Sequence, residues 1–312
     1  MAAEPGFKSI WMQFFPPKPQ FTDKDIPGDL SGKVYLITGA SSGMGREVAR
    51  VLYSRHAKAA IAEIEKTLAN SRGELIFLPL DLADLTSSRK LHALFNNAGV
   101  MVGPSMPIPR TAQGYELALG VNCVSTFLLT KLLTPILIAS ARSKPSNTMR
   151  VVWLSSFGLV QYAPPDRGID MDDLDYHTPR ASIDRYGISN RGSWLLDVEF
   201  APRLKDEGVV SVPINPGNLL TQLARDQALW LKAVGHAVAY KIINGVYTPL
   251  FAAFSPDVGI GRADWTDDWV IPWARLVPLR ADLPKATRPE EGGNGNAQQL
   301  WEWNEEQVKN YL

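Results

Sequence analysis

Short apolar runs alternate with helical stretches along most of the chain, and this alternation limits the fold more than any other feature. The runs are KVYLITG (33–39), ELIFLPL (74–80), HALFNNAG (92–99), RVVWLSS (150–156), VVSVPINPG (209–217) and WVIPW (269–273). Each is too short for a helix and is bounded by turn residues, so each reads as a buried strand. Helical patterning covers about 46–55, 115–141 and 184–206. Strands that are apolar on both faces and separated by helices pack as a parallel sheet with helices on both sides. The expected class is therefore α/β, a doubly wound parallel sheet of Rossmann type in a single domain. At 312 residues and 45% hydrophobic content, the chain can bury a core of that size.

Composition narrows the function classes. Formal net charge is zero, so nothing draws the whole protein to nucleic acid. One cysteine, Cys123, cannot form an intrachain disulfide and fits a reducing compartment, here the cytoplasm. The four histidines are scattered, with none at metal-ligand spacing from another. Residues 1–29 form an aromatic, proline-rich arm, read as packing over the domain rather than anchoring to a surface. It has no small-residue cleavage site and is not read as a signal peptide. Residues 30–290 form the domain and 291–312 a terminal helix. The most apolar stretch, 125–141, is interrupted by Lys131 and Pro135 and falls short of a membrane span. It reads as a buried helix.

Five local motifs carry chemistry. TGASSGMG, Thr38 to Gly45, follows a strand and opens a helix. Glycines there let the backbone approach a diphosphate, and the helix start offers free N–H groups. Thr38, Gly39, Ser41, Ser42, Gly43, Met44, Gly45 and Arg46 are the candidate contacts. NNAG follows at a second strand end and contributes Asn96, Ala98 and Gly99. Ser155 and Ser156 stand at a third strand end, where ligands of open α/β sheets bind. Tyr186 lies in a helix with Asn190 one turn on. NPGNLLT contributes Pro216, Gly217 and Thr221. Alone, each of the last four also reads as a turn or a core position.

In this order and context the motifs resemble those of the short-chain dehydrogenase/reductase family, over about residues 30–280, with flanks like those of fungal secondary-metabolism members. The resemblance implies hydride transfer between a nicotinamide, NADP(H) before NAD(H), and a carbonyl or alcohol of a small apolar substrate. It implies Tyr186 as acid–base residue, Ser156 on the substrate oxygen and Asn122 holding a proton-relay water. It places Asp81 and Leu82 near the adenine. Arg46 is a weak basic cue for a 2′-phosphate. A small-molecule substrate is the expected partner, with self-association left open.

The chain departs from the family pattern in three ways. The lysine four residues after the tyrosine is Asn190, which carries no charge to lower the phenol pKa. Arg191, about 100° further round the helix, does not simply replace it. The stretch 56–91 is short for the strand and helices it should hold, as if two segments of about a dozen residues were missing. The second strand is expected to be degraded, and the helix between the strands at 75–80 and 92–96 missing or very short. Pro213 sits inside a central strand pattern. These departures leave weakened catalysis, or a non-redox ligand-binding protein of the same descent, as the alternatives. The insert PPDRGIDMDDLDY (164–176) borders the substrate mouth or is a solvated loop. Trp230, Leu231, Val234 and Val238 form an apolar lid or an ordinary helix.

Overall fold

A computed structural model describes residues 7–55, 90–105, 107–142, 144–162, 169–260 and 267–312. The chain enters through a helix, α1 (Phe7–Phe14), and then forms β1 (Tyr35–Ile37) and α2 (Gly43–Ser54). Strand β2 (Ala93–Asn96) leads to a continuous helical stretch made of α3 (Leu117–Leu119), a π-helical turn (Gly120–Ser125) and α4 (Thr126–Ala141). Strand β3 (Met149–Leu154), a short α5 (Gly158–Gln161) and the long α6 (Ser182–Lys205) follow. Next come β4 (Val209–Ile214), α7 (Leu229–Ala237) and α8 (Ile242–Phe254). The hairpin of β5 (Asp268–Ile271) and β6 (Arg275–Pro278) precedes α9 (Asp282–Thr287) and α10 (Asn296–Val308).

The sheet has the order β1-β2-β3-β4-β5-β6, parallel throughout except for the antiparallel β5–β6 pair. Its two faces are covered separately. On one face α4, α6 and α10 bury Phe127, Trp194, Phe200 and Trp301 against Trp153. On the other, α2 and α8 bury Val48, Leu52, Val246 and Leu250 against Phe95 and Val212. This is the single-domain Rossmann-type α/β architecture that the apolar alternation predicts. The strands expected at 58–62 and 74–80, and the helix expected between 81 and 92, lie outside the described residues. The antiparallel β6 and the helix α8 have no counterpart among the expected elements.

Two departures from the sequence expectation have simple physical causes. The helix expected over about 115–141 runs from Leu117 to Ala141, 25 residues: the apolar stretch 125–141 falls short of a membrane span, but the whole helix is long and apolar enough to cross one. Here Phe127, Leu133 and Leu137 are buried in the core, and Lys131 pairs with Glu305 of α10. Pro213 does stand inside β4, paired with Trp153 of β3. Peptide groups along a strand point alternately to its two neighbours. Ile214 accepts from Ser155 on the β3 side and Asn215 donates to Val270 on the β5 side. The missing N–H of Pro213 therefore faces β5, whose pairing with β4 is registered only at Ile214 and Val270, and the proline removes no ladder bond.

Beneath the sheet, Asp197 of α6 is fully buried. It accepts the Ser211 hydroxyl at 2.5 Å, and Ser211 accepts the Trp153 indole N–H at 2.8 Å. Burial pushes the Asp197 carboxyl up to about 8, opposed by the Ser211 hydrogen bond. An unfolded aspartate releases its proton near 3.9. Between that value and about 8 the folded state holds the extra proton. The stabilisation is thus full below the lower value and is lost as pH rises through the window. Relative to wild type, Asp197→Asn should gain stability as pH is raised from 5 to 8. Urea unfolding at both pH values measures this, and an unchanged difference between the two proteins would rule it out.

Candidate active site

The candidate site lies where the carboxyl ends of β1 to β4 meet the start of α2 and one face of α6. At β1, Gly39 and Gly43 both take left-handed backbone angles, φ +67° and +57°, which suit glycine. The turn is bound to the next strand end. Thr38 Oγ1 accepts the N–H groups of Asn97 and Ala98 at 3.0 and 2.8 Å. Asn97 Nδ2 donates to the Thr38 carbonyl at 2.8 Å. A side chain on Gly39 would strike the Ala98 backbone at 2.9 Å, and one on Gly45 would strike the Gly39 carbonyl at 2.7 Å and the Asn97 amide.

These contacts sort the expected binding residues. Ser41, Ser42 and Arg46 are exposed at the start of α2, and Ser42 makes no capping bond to the helix. Met44 buries its side chain in the core, so only its N–H can face a ligand. Asn96 also turns inward and donates to Thr130 Oγ1 at 2.9 Å. The second asparagine of NNAG, Asn97, makes the tie to Thr38 and was not among the candidates. Gly99 is exposed beyond it. Thr221 packs over Gly43: its Cγ2 lies 3.7 Å from where a Cβ would stand. Pro216 and Gly217 are half-buried, and Gly217 has φ +86°. The Asn215 side chain fixes their turn by accepting the Gly217 N–H at 3.0 Å. A cleft of about 380 Å³ between Ser42, Gly43, Arg46, Thr221 and His236 opens at the start of α2. Glycine cradle, free helix start and basic rim fit a diphosphate. Asp81 and Leu82, expected near the adenine, lie outside the described residues.

The second half of the site is built on α6. Tyr186 is set beside the Ser156 hydroxyl and the Asn190 side chain. Burial raises the phenol pKa above its ordinary value, and hydrogen bonding to Asn190 and Ser156 lowers it by less. Asn190 is buried, and its Nδ2 donates to the Tyr186 carbonyl at 2.8 Å. Ser155 is not a ligand group but a tie: its hydroxyl donates to the Asn190 carbonyl at 2.9 Å and joins the end of β3 to α6. Ser156 Oγ accepts the Gly158 N–H at 2.9 Å, which fixes its direction. Arg191 is fully buried and donates to the Leu159 carbonyl at 3.3 Å.

Asn122 stands in the π-helical turn, and its amide is filled by protein groups. Oδ1 accepts the Val100 N–H at 2.9 Å, while Nδ2 donates to the Val100 carbonyl and to Ser189 Oγ at 3.1 and 2.8 Å. Its backbone carbonyl accepts the Ser193 hydroxyl at 3.1 Å. A water held by Asn122 would share that carbonyl with Ser193. The clamp on Val100 also shapes a second cleft, of about 490 Å³, lined by Val100, Met101, Val102, Pro109, Leu117 and Leu223 with Arg225 and Asp226 at its edge. Of the 164–176 insert, the described residues 169–176 bury Ile169, Leu174 and Tyr176. Helix α7 carries the proposed lid positions Trp230, Leu231 and Val234, with Val238 at its end, and exposes Leu229.

The chain as a whole resembles known proteins. The model of the short chain dehydrogenase family matches residues 33–158. A short-chain dehydrogenase/reductase of Neocamarosporium betae, bet4, is 42% identical over 336 positions covering all of this chain and 96% of that protein. One of Phomopsis amygdali is 43% identical, covering 98% of each chain. The chain belongs to the short-chain dehydrogenase/reductase family. Among solved structures, an uncharacterized protein of Mycobacterium paratuberculosis superposes with a TM-score of 0.60 at 26% identity, over 93% of this chain and 97% of that one. The NADP complex of RhlG from Pseudomonas aeruginosa shares the fold, with a TM-score of 0.54 at 21% identity, over 74% and 93% of the two chains.

The close approach at Gly45 gives a direct test. Gly45→Val should abolish NADPH binding, raising the dissociation constant at least a hundredfold, because the cradle cannot close on the Gly39 carbonyl. Gly28→Ala, with nothing within 4 Å, is the control. Fluorescence titration of a folded Gly45→Val protein that binds NADPH like wild type would remove the glycine turn from the site.

Proposed function

We propose that this protein is an oxidoreductase using NADP(H), with NAD(H) as the lesser cofactor, on a carbonyl or alcohol of a small apolar substrate, and that its catalysis is weakened. The observation that carries the reading is the Tyr186 phenol set beside Ser156 and Asn190, at the strand ends that also hold the glycine cradle. The NADP complex among the fold neighbours supports the cofactor choice. The apolar cleft beyond Gly99 is of a size that takes a small molecule.

Gly39, Gly43 and Gly45 would cradle the diphosphate, with Thr221, Pro216 and Gly217 closing over the nicotinamide end. When bound, the nicotinamide supplies or accepts the hydride. Ser156 holds the substrate oxygen by a hydrogen bond. In reduction Tyr186 donates its proton to that oxygen, and in oxidation it takes the proton back. A cation four residues on would pull the phenol pKa down from about 10; three units correspond to roughly 4 kcal/mol. Asn190 offers an amide dipole in place of a full charge. It stabilises the phenolate by a hydrogen bond, which is smaller than the burial effect it opposes.

The neutral phenol can still donate, so reduction is the less damaged direction. Oxidation needs a proton acceptor, which a phenol of raised pKa provides poorly near neutrality. The alcohol-oxidation rate should therefore climb with pH well past 8, while reduction falls as the phenol ionises. A second reading is favoured by the same substitution: with no cation among the described residues aimed at Tyr186, the site would bind a nucleotide or an apolar ligand without redox turnover.

Comparing wild type, Asn190→Lys and Tyr186→Phe on cyclic ketones and their alcohols separates the two. A tenfold or greater gain in turnover for Asn190→Lys, abolished in Tyr186→Phe, supports the enzyme. Identical turnover in all three proteins, with NADPH binding retained, would leave the non-redox reading.

A further inference from the structure

The N-terminal helix α1 makes contacts that a mere packing arm would not need. It lies over the carboxyl ends of β3, β4 and β5, and three consecutive residues each reach a different part of the site's rim. The Met12 carbonyl accepts the Arg275 guanidinium at 2.6 Å, at the turn between β5 and β6. Gln13 is 4% exposed, and its Oε1 accepts Asn215 Nδ2 at 2.8 Å. The Phe14 carbonyl accepts the Tyr240 hydroxyl at 3.1 Å. The Phe14 ring meets Phe157, the residue after Ser156, edge to face at 5.2 Å between centroids.

Two of these partners, Asn215 and Tyr240, hold the turn that follows β4. Asn215 spends its Oδ1 on the Gly217 N–H and its Nδ2 on Gln13, so one side chain couples the helix to the turn. Tyr240 donates its N–H to the Asn218 carbonyl and accepts the Leu220 N–H, and its ring packs on Trp273. The segment 215–220 is thus held from outside by α1 and Tyr240, directly before Thr221. A buried asparagine amide with no acceptor costs free energy, so removing Gln13 leaves Asn215 free to turn elsewhere. On the side facing solvent, the same helix presents Trp11, stacked on Phe15 at 4.5 Å, both about half exposed.

We propose that α1 is a working wall of the active site: Gln13 is a positioning residue for the Asn215–Gly217 turn, and Phe14 with Phe157 sets how bulky a substrate can be beside Ser156. The inference rests on the oxidoreductase reading above. It assigns to the arm a part in substrate choice, outside the segment that the family model matches, 33–158.

Gln13→Leu, Phe14→Ala and Trp11→Ala are compared with wild type in the full chain. NADPH dissociation constants come from fluorescence titration, and kcat and KM from cyclohexanone and the bulkier 2-decalone. Gln13→Leu should raise the NADPH dissociation constant about tenfold. Phe14→Ala should leave it unchanged but move the kcat/KM ratio about tenfold toward 2-decalone, mainly through KM. Trp11→Ala, on the outer side, should change neither. If Gln13→Leu does not fold, the Phe14→Ala ratio decides alone, since a ratio between two substrates is insensitive to the folded fraction. Variants that differ from wild type only in melting temperature would overturn the proposal while leaving the oxidoreductase reading intact. A wild type that binds no NADPH would instead remove that reading, and the role of α1 with it.

Discussion

The hydrogen bonds between Thr38 and the Asn97–Ala98 backbone hold two strand ends at the distance on which the rest of the site depends. They bring β1 and β2 close enough that a side chain at Gly39 or Gly45 would collide with the neighbouring turn. With the two ends tied, the N–H groups at the start of α2 are left pointing into the crevice with no side-chain cap. A helix start in that state favours an anion, through its free donors and its dipole. The glycines are thus needed twice: for their backbone angles, and for the approach of one turn to another.

A second set of polar contacts orients α6. Ser155 ties its backbone to β3, and Asn122 reaches Ser189 from the π-helical turn. The Ser193 hydroxyl bonds the Asn122 carbonyl, and the Cys123 thiol bonds the Ser189 carbonyl at 3.2 Å. Gly192 has no side chain because Cys123 occupies that space. The face of α6 that carries Tyr186 and Asn190 is therefore lined by small neutral groups satisfied by one another. Such a face can be buried at little cost, because each donor has its acceptor.

The sequence shows the fold through its apolar periods, and the structure bears this out for the strands at β1 to β5. What it hides is set by tertiary context. No periodicity marks β6, a four-residue strand whose residues are mostly half-exposed. The role of Asn97 could not be separated from that of Asn96 by motif alone. Their side chains point opposite ways at a strand end, and only the inward one reaches Thr130. Ser155 and Ser156 are the same case: one hydroxyl faces the backbone of α6, the other the site. The contact of Gln13 with Asn215 spans 202 positions, and nothing local announces it. Asn190, by contrast, stands out only through the family resemblance, which implies a lysine four residues after the tyrosine.

Charge is not absent around Tyr186; it is aimed elsewhere. Arg185 lies 3.6 Å from Glu116, both buried, and Arg191 is enclosed on the side of Leu159. Burial raises the Glu116 carboxyl and lowers the Arg191 guanidinium to about 9, so neither charge is held cheaply. Helical geometry explains why neither arginine compensates for Asn190: residues one before and five after the tyrosine both point about 100° or more from its direction or are turned to other partners. A buried cation helps an acid only when it faces the acid, since the interaction falls with distance and rises as water is excluded. Position 190 meets that condition, one turn on and beside the phenol. The protein fills it with a group that is easy to bury and weak as an electrostatic partner, and the proton of Tyr186 is held accordingly.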